Sequence, residues 1–169
     1  DTWAVRLHPL ARWGHSMLAL LYLGAALCGS WRMADIINPI TIQADEDDLV
    51  AMAWIKRNIP ANARFLVNTR PWSGELHVGA DAGWWLPYMT GHAVSMPSIL
   101  HHQGTRAYRE AVRDLALLVE GAASLDDPKL VEALRQEGIT HVYIGSRGGT
   151  LLPARLDSSK HYQLLYSRG

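Results

Sequence analysis

Residues 13–31 have the sequence WGHSMLALLYLGAALCGSW, and the organisation of the whole chain follows from this stretch. It contains no Asp, Glu, Lys or Arg, whereas Arg12 and Arg32 flank it on either side. As an α-helix its 19 residues would extend roughly 28 Å, close to the thickness of the hydrocarbon core of a bilayer. Tryptophans stand at both ends, where their rings favour the membrane–water interface. The pattern predicts a transmembrane helix over residues 13–34.

Two other interpretations of this apolar stretch stay open. A buried or interfacial helix has a similar composition, although such helices are usually shorter and carry a polar stripe. A secretory signal is the second alternative, because small residues lie near the end of the stretch. Arg6 and Arg12 precede the stretch and only Arg32 closely follows it. This asymmetry favours a cytoplasmic N-terminal end, which would place the following soluble part outside the cytoplasm.

The composition argues against several classes of protein. Sixteen basic and sixteen acidic side chains give a formal net charge of zero. No basic stripe is present, so we expect no contact with nucleic acid. The single cysteine, Cys28, lies inside the apolar stretch, which leaves neither a disulfide framework nor a cysteine-based metal site.

The chain divides into four predicted segments. Residues 1–12 form a juxtamembrane segment and 13–34 the transmembrane helix, while 35–46 are an extended linker and 47–169 a soluble domain. The last segment has the usual length of one domain. Because the chain starts with Asp1 instead of Met, we expect it to be a piece of a longer protein.

Helix and strand signals alternate along the soluble part. The predicted helices cover 45–58, 84–91, 105–121 and 127–138, and the predicted strands cover 64–68, 93–96, 140–144 and 161–166. Asp45, Thr105 and Asp127 are N-cap candidates, and Gly91 and Gly138 are the corresponding stop signals. Residues between the first strand and the second helix are predicted to form a polar loop. This order predicts an α/β fold, a small three-layer domain with a mostly parallel sheet of about four strands.

The residues richest in functional chemistry lie between positions 69 and 102. Asp81 is placed between glycines and is followed by Trp84, Trp85, Tyr88 and His92. Flat aromatic rings beside a carboxylate and an imidazole are typical of sugar-binding surfaces, because rings cover the apolar face of a pyranose and polar groups bind its hydroxyls. We therefore predict these five residues as substrate-binding candidates. The competing interpretation is structural: the Trp pair packs in the core or on the membrane, and Asp81 caps the helix after it.

Two further motifs carry weaker signals. His92, His101 and His102 suggest a metal, but adjacent histidines point in different directions and the i, i+4 spacing of a helical zinc site is absent. The turn GSRGG at 145–149 follows a predicted strand, where phosphate-binding loops lie. It matches no phosphate-loop pattern, and Pro153 argues against a helix N-terminus there. We predict no catalytic residue, no metal and no cofactor in this chain.

Two runs of sequence carry a family resemblance. DLVAMAWIKRNIP at 48–60, a strand, and then DAGWWLPYMTGH at 81–92 resemble the post-membrane domain of multispanning bacterial glycosyltransferases of the GT-C type. The order is also similar to that of oligosaccharyltransferase catalytic subunits, in which a W-W-D-Y-G motif follows the helix and strand; here Asp81 precedes the Trp pair instead. The resemblance covers roughly residues 40–100. It implies a polytopic enzyme that uses lipid-phosphate-linked sugars, with its catalytic carboxylates between membrane helices outside this chain.

The resemblance leads to our first functional expectation. The chain would be the non-catalytic soluble domain of a membrane-bound glycosyltransferase, positioning substrate or acceptor at the membrane surface, with the lipid bilayer and a lipid-linked sugar or acceptor as partners. The alternative is a membrane-anchored α/β interaction domain with no enzymatic role, in which Trp84 and Trp85 are buried and no pocket lies near Asp81. A third hypothesis is a stand-alone α/β enzyme that binds phosphate at the 145–149 turn.

Overall fold

The computed structural model describes residues 7–34, 36, 41–157 and 159–168. The chain forms two compact units, Asp1–Ile42 and Gln43–Gly169. Residues 1–6 of the predicted juxtamembrane segment, and residues 35 and 37–40 of the predicted linker, lie outside the described part. The first unit contains one helix, and the second contains all the described strands.

Most of the described residues of the first unit belong to helix α1, Leu7–Ala34, which begins six residues before the predicted start at position 13. Its section Trp13–Met33 is long and apolar enough to cross a membrane, and none of the most apolar window is buried. Leucines along this section expose more than half of their surface, Leu20 and Leu21 among them. Apolar side chains on every face of a helix suit a lipid environment better than water.

The second unit is built on a parallel sheet of three strands. Strand β1, Arg64–Leu66, lies in the centre, with β4, Ala93–Val94, on one side and β5, His141–Val142, on the other. Both neighbours run parallel to β1, in registers that pair Phe65 with Val94 and with His141. The predicted α/β class and parallel sheet are confirmed, with three strands where about four were expected.

Two predictions about strands are corrected. Residues 69–79, expected to be a loop, form the antiparallel pair β2, Thr69–Ser73, and β3, Leu76–Gly79. Gly74 has a φ of 57° and begins the two-residue turn, a position at which glycine supplies the positive φ without steric strain. The expected fourth strand at 161–166 has no strand partner in the described chain. It is attached through side chains, since Tyr166 stacks on Trp54 with ring centroids 4.9 Å apart.

Four helices complete the second unit. They are α2, Glu46–Asn58; α3, Leu86–Thr90, preceded by the 3-10 turn Ala82–Trp85; α4, Arg106–Gly121; and α5, Pro128–Gln136. Two further 3-10 turns cover Ile99–Gln103 and Pro153–Arg155. The predicted N-caps are confirmed, because Asp45, Thr105 and Asp127 each accept a hydrogen bond from the first turn of the helix that follows.

Two apolar clusters lie on opposite faces of the central strand. Phe65 and Val67 belong to a cluster with Met52 and Ile55 of α2. Leu66 points the other way and belongs to a second cluster, with side chains of α4 and α5: Leu115, Val119, Leu130 and Leu134. Successive side chains of a strand alternate between faces, so helices cover both sides of the sheet. This arrangement confirms the predicted three layers.

The Gly79→Ala substitution tests the close approach of β3 to the following 3-10 turn. A Cβ at position 79 would overlap Cβ and Cγ of Trp84, so the ring must move. We expect the free energy of unfolding to fall by about 1–3 kcal/mol, as in other overpacked sites. Urea unfolding followed by tryptophan fluorescence measures this change. Gly121→Ala is the matched control, since a Cβ there meets nothing within 4 Å; equal destabilisation of both variants would contradict the prediction.

Candidate functional site

Asp81, the central residue of the predicted sugar site, is fully buried. Its Oδ1 accepts a hydrogen bond from the Gly83 N–H at 2.9 Å, which caps the 3-10 turn that follows. Its Oδ2 accepts from Asn68 Nδ2 at 2.9 Å and from the Gly145 N–H at 2.8 Å. Both carboxylate oxygens are therefore occupied by groups of the protein. This placement agrees with the structural interpretation of Asp81 as a helix cap.

The surroundings of Asp81 act on its acidity in opposite directions. Burial has the largest influence and raises the pKa of the Asp81 carboxyl above its usual range, and the negative charge of Asp48 acts the same way. The three N–H donors reduce this shift because they stabilise the ionised form. All three partners donate, so an added proton on Asp81 would find no acceptor among them.

A second buried carboxylate, Asp48 of α2, was missing from the predicted site. Its Oδ1 accepts from the Tyr143 hydroxyl at 2.8 Å and from the Ser146 N–H at 3.1 Å. Its Oδ2 accepts from Ser146 Oγ at 2.8 Å and from the Asp45 N–H at 3.1 Å. Burial and the hydrogen bond to Asp48 raise the pKa of Tyr143, which keeps the phenol protonated as a donor. The only sequence signal for this role was an acidic residue on the apolar side of α2.

Asp48 and Asp81 together hold the loop that follows β5. Gly145 lies between them: an added Cβ would be 3.1 Å from Asp48 Oδ1 and 3.2 Å from Asp81 Cβ. Further along the loop, Asn68 Oδ1 accepts from the Leu151 N–H at 2.7 Å. The Gly145 and Ser146 N–H groups thus donate to carboxylates of the protein. A phosphate bound by these two N–H groups would have to displace the carboxylates, so the geometry argues against the third hypothesis, phosphate binding at the 145–149 turn.

His92 is also buried in the protein. Its Nδ1 lies 2.9 Å from Thr90 Oγ1, and its Nε2 lies 3.1 Å from the Pro60 carbonyl oxygen. The ring meets Phe65 edge-on, with centroids 5.4 Å apart. Both ring nitrogens have partners, so His92 joins the end of α3 to the turn after α2. Within the described residues, no group of three or more His, Cys, Asp or Glu side chains is arranged to hold a metal ion.

The three aromatic candidates divide between the interior and the surface. Trp84 is partly buried, and its Nε1 donates to the Pro97 carbonyl at 2.8 Å. Trp85 and Tyr88 are 49% and 83% exposed. Their rings meet edge-on with centroids 6.3 Å apart. Of the five predicted residues, Trp85 and Tyr88 therefore form an exposed pair on and beside α3, hereafter the aromatic pair.

Asp81→Asn tests the structural role of the buried carboxylate. An amide at position 81 must turn its NH₂ toward one of three N–H donors, which leaves a buried donor unsatisfied. We expect the free energy of unfolding to fall by roughly 1–3 kcal/mol, as measured by urea unfolding. Asp157→Asn is the control, since Asp157 is exposed. An Asp81→Asn chain as stable as this control would show that the three hydrogen bonds contribute little.

The aromatic pair is the part of the predicted site that remains open to a ligand, whereas Asp81 and His92 support it from inside. Trp85 ends the 3-10 turn that Asp81 caps, and Tyr88 lies one turn of helix further on. The chain matches no protein-family model, no curated protein and no solved structure.

Proposed function

We propose that the chain is the non-catalytic soluble domain of a membrane-bound glycosyltransferase that uses lipid-linked sugars, and that it positions substrate or acceptor at the membrane surface. The observation that carries this proposal is the exposed aromatic pair on a rigid support. An aromatic face can stack on the C–H face of a pyranose and exclude water from it. The pair replaces the five-residue groove as the proposed contact with sugar or acceptor.

The size of the aromatic pair suits positioning better than tight binding. Covering about 100 Å² of ring surface contributes roughly 2.5 kcal/mol at about 25 cal/mol per Å². That is less than the ~4.1 kcal/mol that corresponds to a millimolar dissociation constant. A contact this weak becomes effective when the ligand is held nearby by another attachment, such as a lipid in the same membrane.

Three features fix the short segment that carries the aromatic pair. Asp81 caps the 3-10 turn at one end. At the other end Gly91, with a φ of 84°, closes α3 in the left-handed conformation that glycine adopts readily. Leu86 is fully buried between these ends and fixes the helix to the core. Rings presented by packed elements lose little conformational freedom on binding, which favours a positioning role.

The membrane part of the proposal depends on helix α1. Its section Trp13–Met33 is suited to span a bilayer by length and composition. Arg6 and Arg12 before the span, against Arg32 after it, favour a soluble unit outside the cytoplasm. The resemblance at 48–60 and 81–92 supports the enzyme class. The catalytic residues would belong to other membrane segments of the parent protein.

A charge at the centre of the span tests membrane insertion. Leu23→Arg should cost about 2.5–3.5 kcal/mol of insertion free energy, because a guanidinium is poorly solvated by lipid. We expect the substituted chain to leave the membrane fraction on alkaline carbonate extraction, whereas the original chain and the Leu23→Ile control stay in it. Extraction of the original chain into the soluble fraction would refute the membrane anchor.

Trp85→Ala tests the aromatic pair in the membrane protein that contains this chain. Loss of the ring should lower transfer of sugar from a lipid-linked donor about tenfold, which corresponds to ~1.4 kcal/mol. Trp72→Ala is the matched control, since Trp72 is likewise a half-exposed tryptophan, on strand β2. Thermal unfolding of both variants shows whether folding is intact. Full transfer activity in Trp85→Ala would count against the proposal.

The interaction domain without enzymatic role remains the second candidate. It is favoured because the side-chain polar atoms of Asp81 and His92 are bonded to groups of the protein. These two predicted residues therefore offer a substrate no polar atom without a partner. The two candidates differ in the Trp85→Ala experiment. An interaction domain would leave sugar transfer unchanged in that variant, and a substrate-positioning domain would not.

A further inference from the structure

We propose that a cleft beside helix α4 binds a phosphate group. The cleft lies between the β2–β3 hairpin, the 3-10 turn Ile99–Gln103 and α4, and it has a volume of about 560 Å³. It is hereafter called the arginine cleft, and its lining includes three arginines and three histidines: Arg106, Arg109, Arg113, His77, His101 and His102. The aromatic pair does not line it, so this proposal is independent of the proposed sugar contact.

The three arginines share one side of α4. Their spacing of three and then four residues places them on the same face of an α-helix, one turn above another. The buried face of the same helix carries Leu115 and Val119. The helix therefore presents a row of guanidinium groups to the cleft while its apolar side packs in the core.

Arg109 is the charge that a bound anion would neutralise. Its Nη1 donates to the carbonyl oxygens of His102 at 3.1 Å and Gly104 at 3.4 Å. These neutral acceptors hold the guanidinium in place without cancelling its charge. Arg109 takes part in none of the ion pairs formed among the described residues.

The other two arginines have partners that a ligand can replace. Arg106 Nε lies 2.8 Å from Glu110 Oε1, and Arg113 Nη1 lies 2.7 Å from Glu75 Oε2. Arg113 also donates through Nε and Nη2 to Asp114 Oδ1, at 3.1 and 3.0 Å. The side chain of Glu75 is 84% exposed and that of Glu110 42%. Exposed ion pairs of this kind contribute about 0–1 kcal/mol, so their carboxylates can swing into water when a phosphate arrives. Together with Asp114, three carboxylates pair with Arg106 and Arg113, so the charges around the three guanidinium groups balance until a phosphate displaces one of these carboxylates.

Two histidines lie at the end of the cleft near the start of α4. His101 Nδ1 lies 3.0 Å from the Ser98 carbonyl, and His102 Nδ1 contacts the Ile99 carbonyl. Carbonyl oxygens only accept hydrogen bonds, so each Nδ1 carries the proton and each Nε2 is left for another partner. In the neutral ring that Nε2 is an acceptor, so the hydrogen-bond donors available to an anion in the cleft are the guanidinium groups.

Phosphate fits this lining better than other classes of ligand. The volume is in the range of small-molecule sites, and nine of the eleven lining residues carry a polar or charged side chain. The planar fork of a guanidinium matches two phosphate oxygens, and several forks can share one tetrahedral anion. A metal ion is disfavoured, since the described residues contain no cluster of three potential ligands.

The site is tested by calorimetric titration with inorganic pyrophosphate at constant ionic strength. The full chain is held in phosphatidylcholine nanodiscs. We expect a dissociation constant below about 1 mM for the original chain. Arg109→Gln and Arg106→Gln should each weaken binding about tenfold or more, because each removes a charge-assisted hydrogen bond. Arg109→Lys, which keeps the charge and loses the fork, should fall in between. The control is Arg135→Gln, an arginine of α5 outside the cleft with an exposed partner, Glu132, which should bind as the original chain does.

A second titration separates two sources of phosphate. Inorganic phosphate is compared with dihexanoyl phosphatidate, a water-soluble lipid that carries a phosphate monoester. Tighter binding of phosphatidate indicates a lipid headgroup, and equal or weaker binding indicates a free phosphate.

Absence of heat with pyrophosphate at about 10 mM, far above the expected dissociation constant, would overturn the proposal. An equal loss of affinity in Arg135→Gln would also overturn it, since binding would then follow total charge. Arg106→Gln keeps the test valid if Arg109→Gln fails to fold, because among the described residues the Arg106 side chain bonds to Glu110 alone, and this pair is exposed.

Discussion

The second unit, Gln43–Gly169, depends on a buried polar junction at the carboxyl edge of its parallel sheet. Asp48, Asn68 and Asp81 come from three different segments, and each accepts hydrogen bonds from the loop that follows β5. A buried carboxylate without partners costs several kcal/mol, so the junction is stable only when its donors are all in place. Asp48 also completes the capping box of α2 by accepting from the N–H of its N-cap Asp45, and Asp81 caps the 3-10 turn before α3.

This junction explains why functional-looking residues have structural roles. A carboxylate followed by two tryptophans resembles a sugar site, yet Asp81 faces N–H groups of the protein and Trp84 donates to the Pro97 carbonyl. Only the aromatic pair, Trp85 and Tyr88, is exposed among the five predicted residues. It lies on the 3-10 turn that Asp81 caps and on α3. The proposed contact with a sugar or acceptor therefore depends on interior residues that never touch it.

The aromatic pair and the arginine cleft lie on different elements and suit different chemistry. Trp85 and Tyr88 offer ring surface for an apolar face, whereas Arg106 and Arg109 offer charge for an anion. A sugar phosphate carries both kinds of group, but the two surfaces are proposed from separate sets of contacts. In the proposed phosphate site the β2–β3 hairpin forms one wall of the cleft, and its Glu75 pairs with Arg113.

The sequence by itself determined the features that depend on neighbouring residues. The apolar span, the caps at Asp45, Thr105 and Asp127 and the stop at Gly91 are local, because each rests on composition or on hydrogen bonds within a turn of helix. Only the tertiary structure decided the β2–β3 hairpin, the missing fourth strand and the junction. Asp48 bonds to Ser146, 98 positions away. No short pattern encodes such a partner, since the energy of burying a charge depends on which groups the completed fold brings to it.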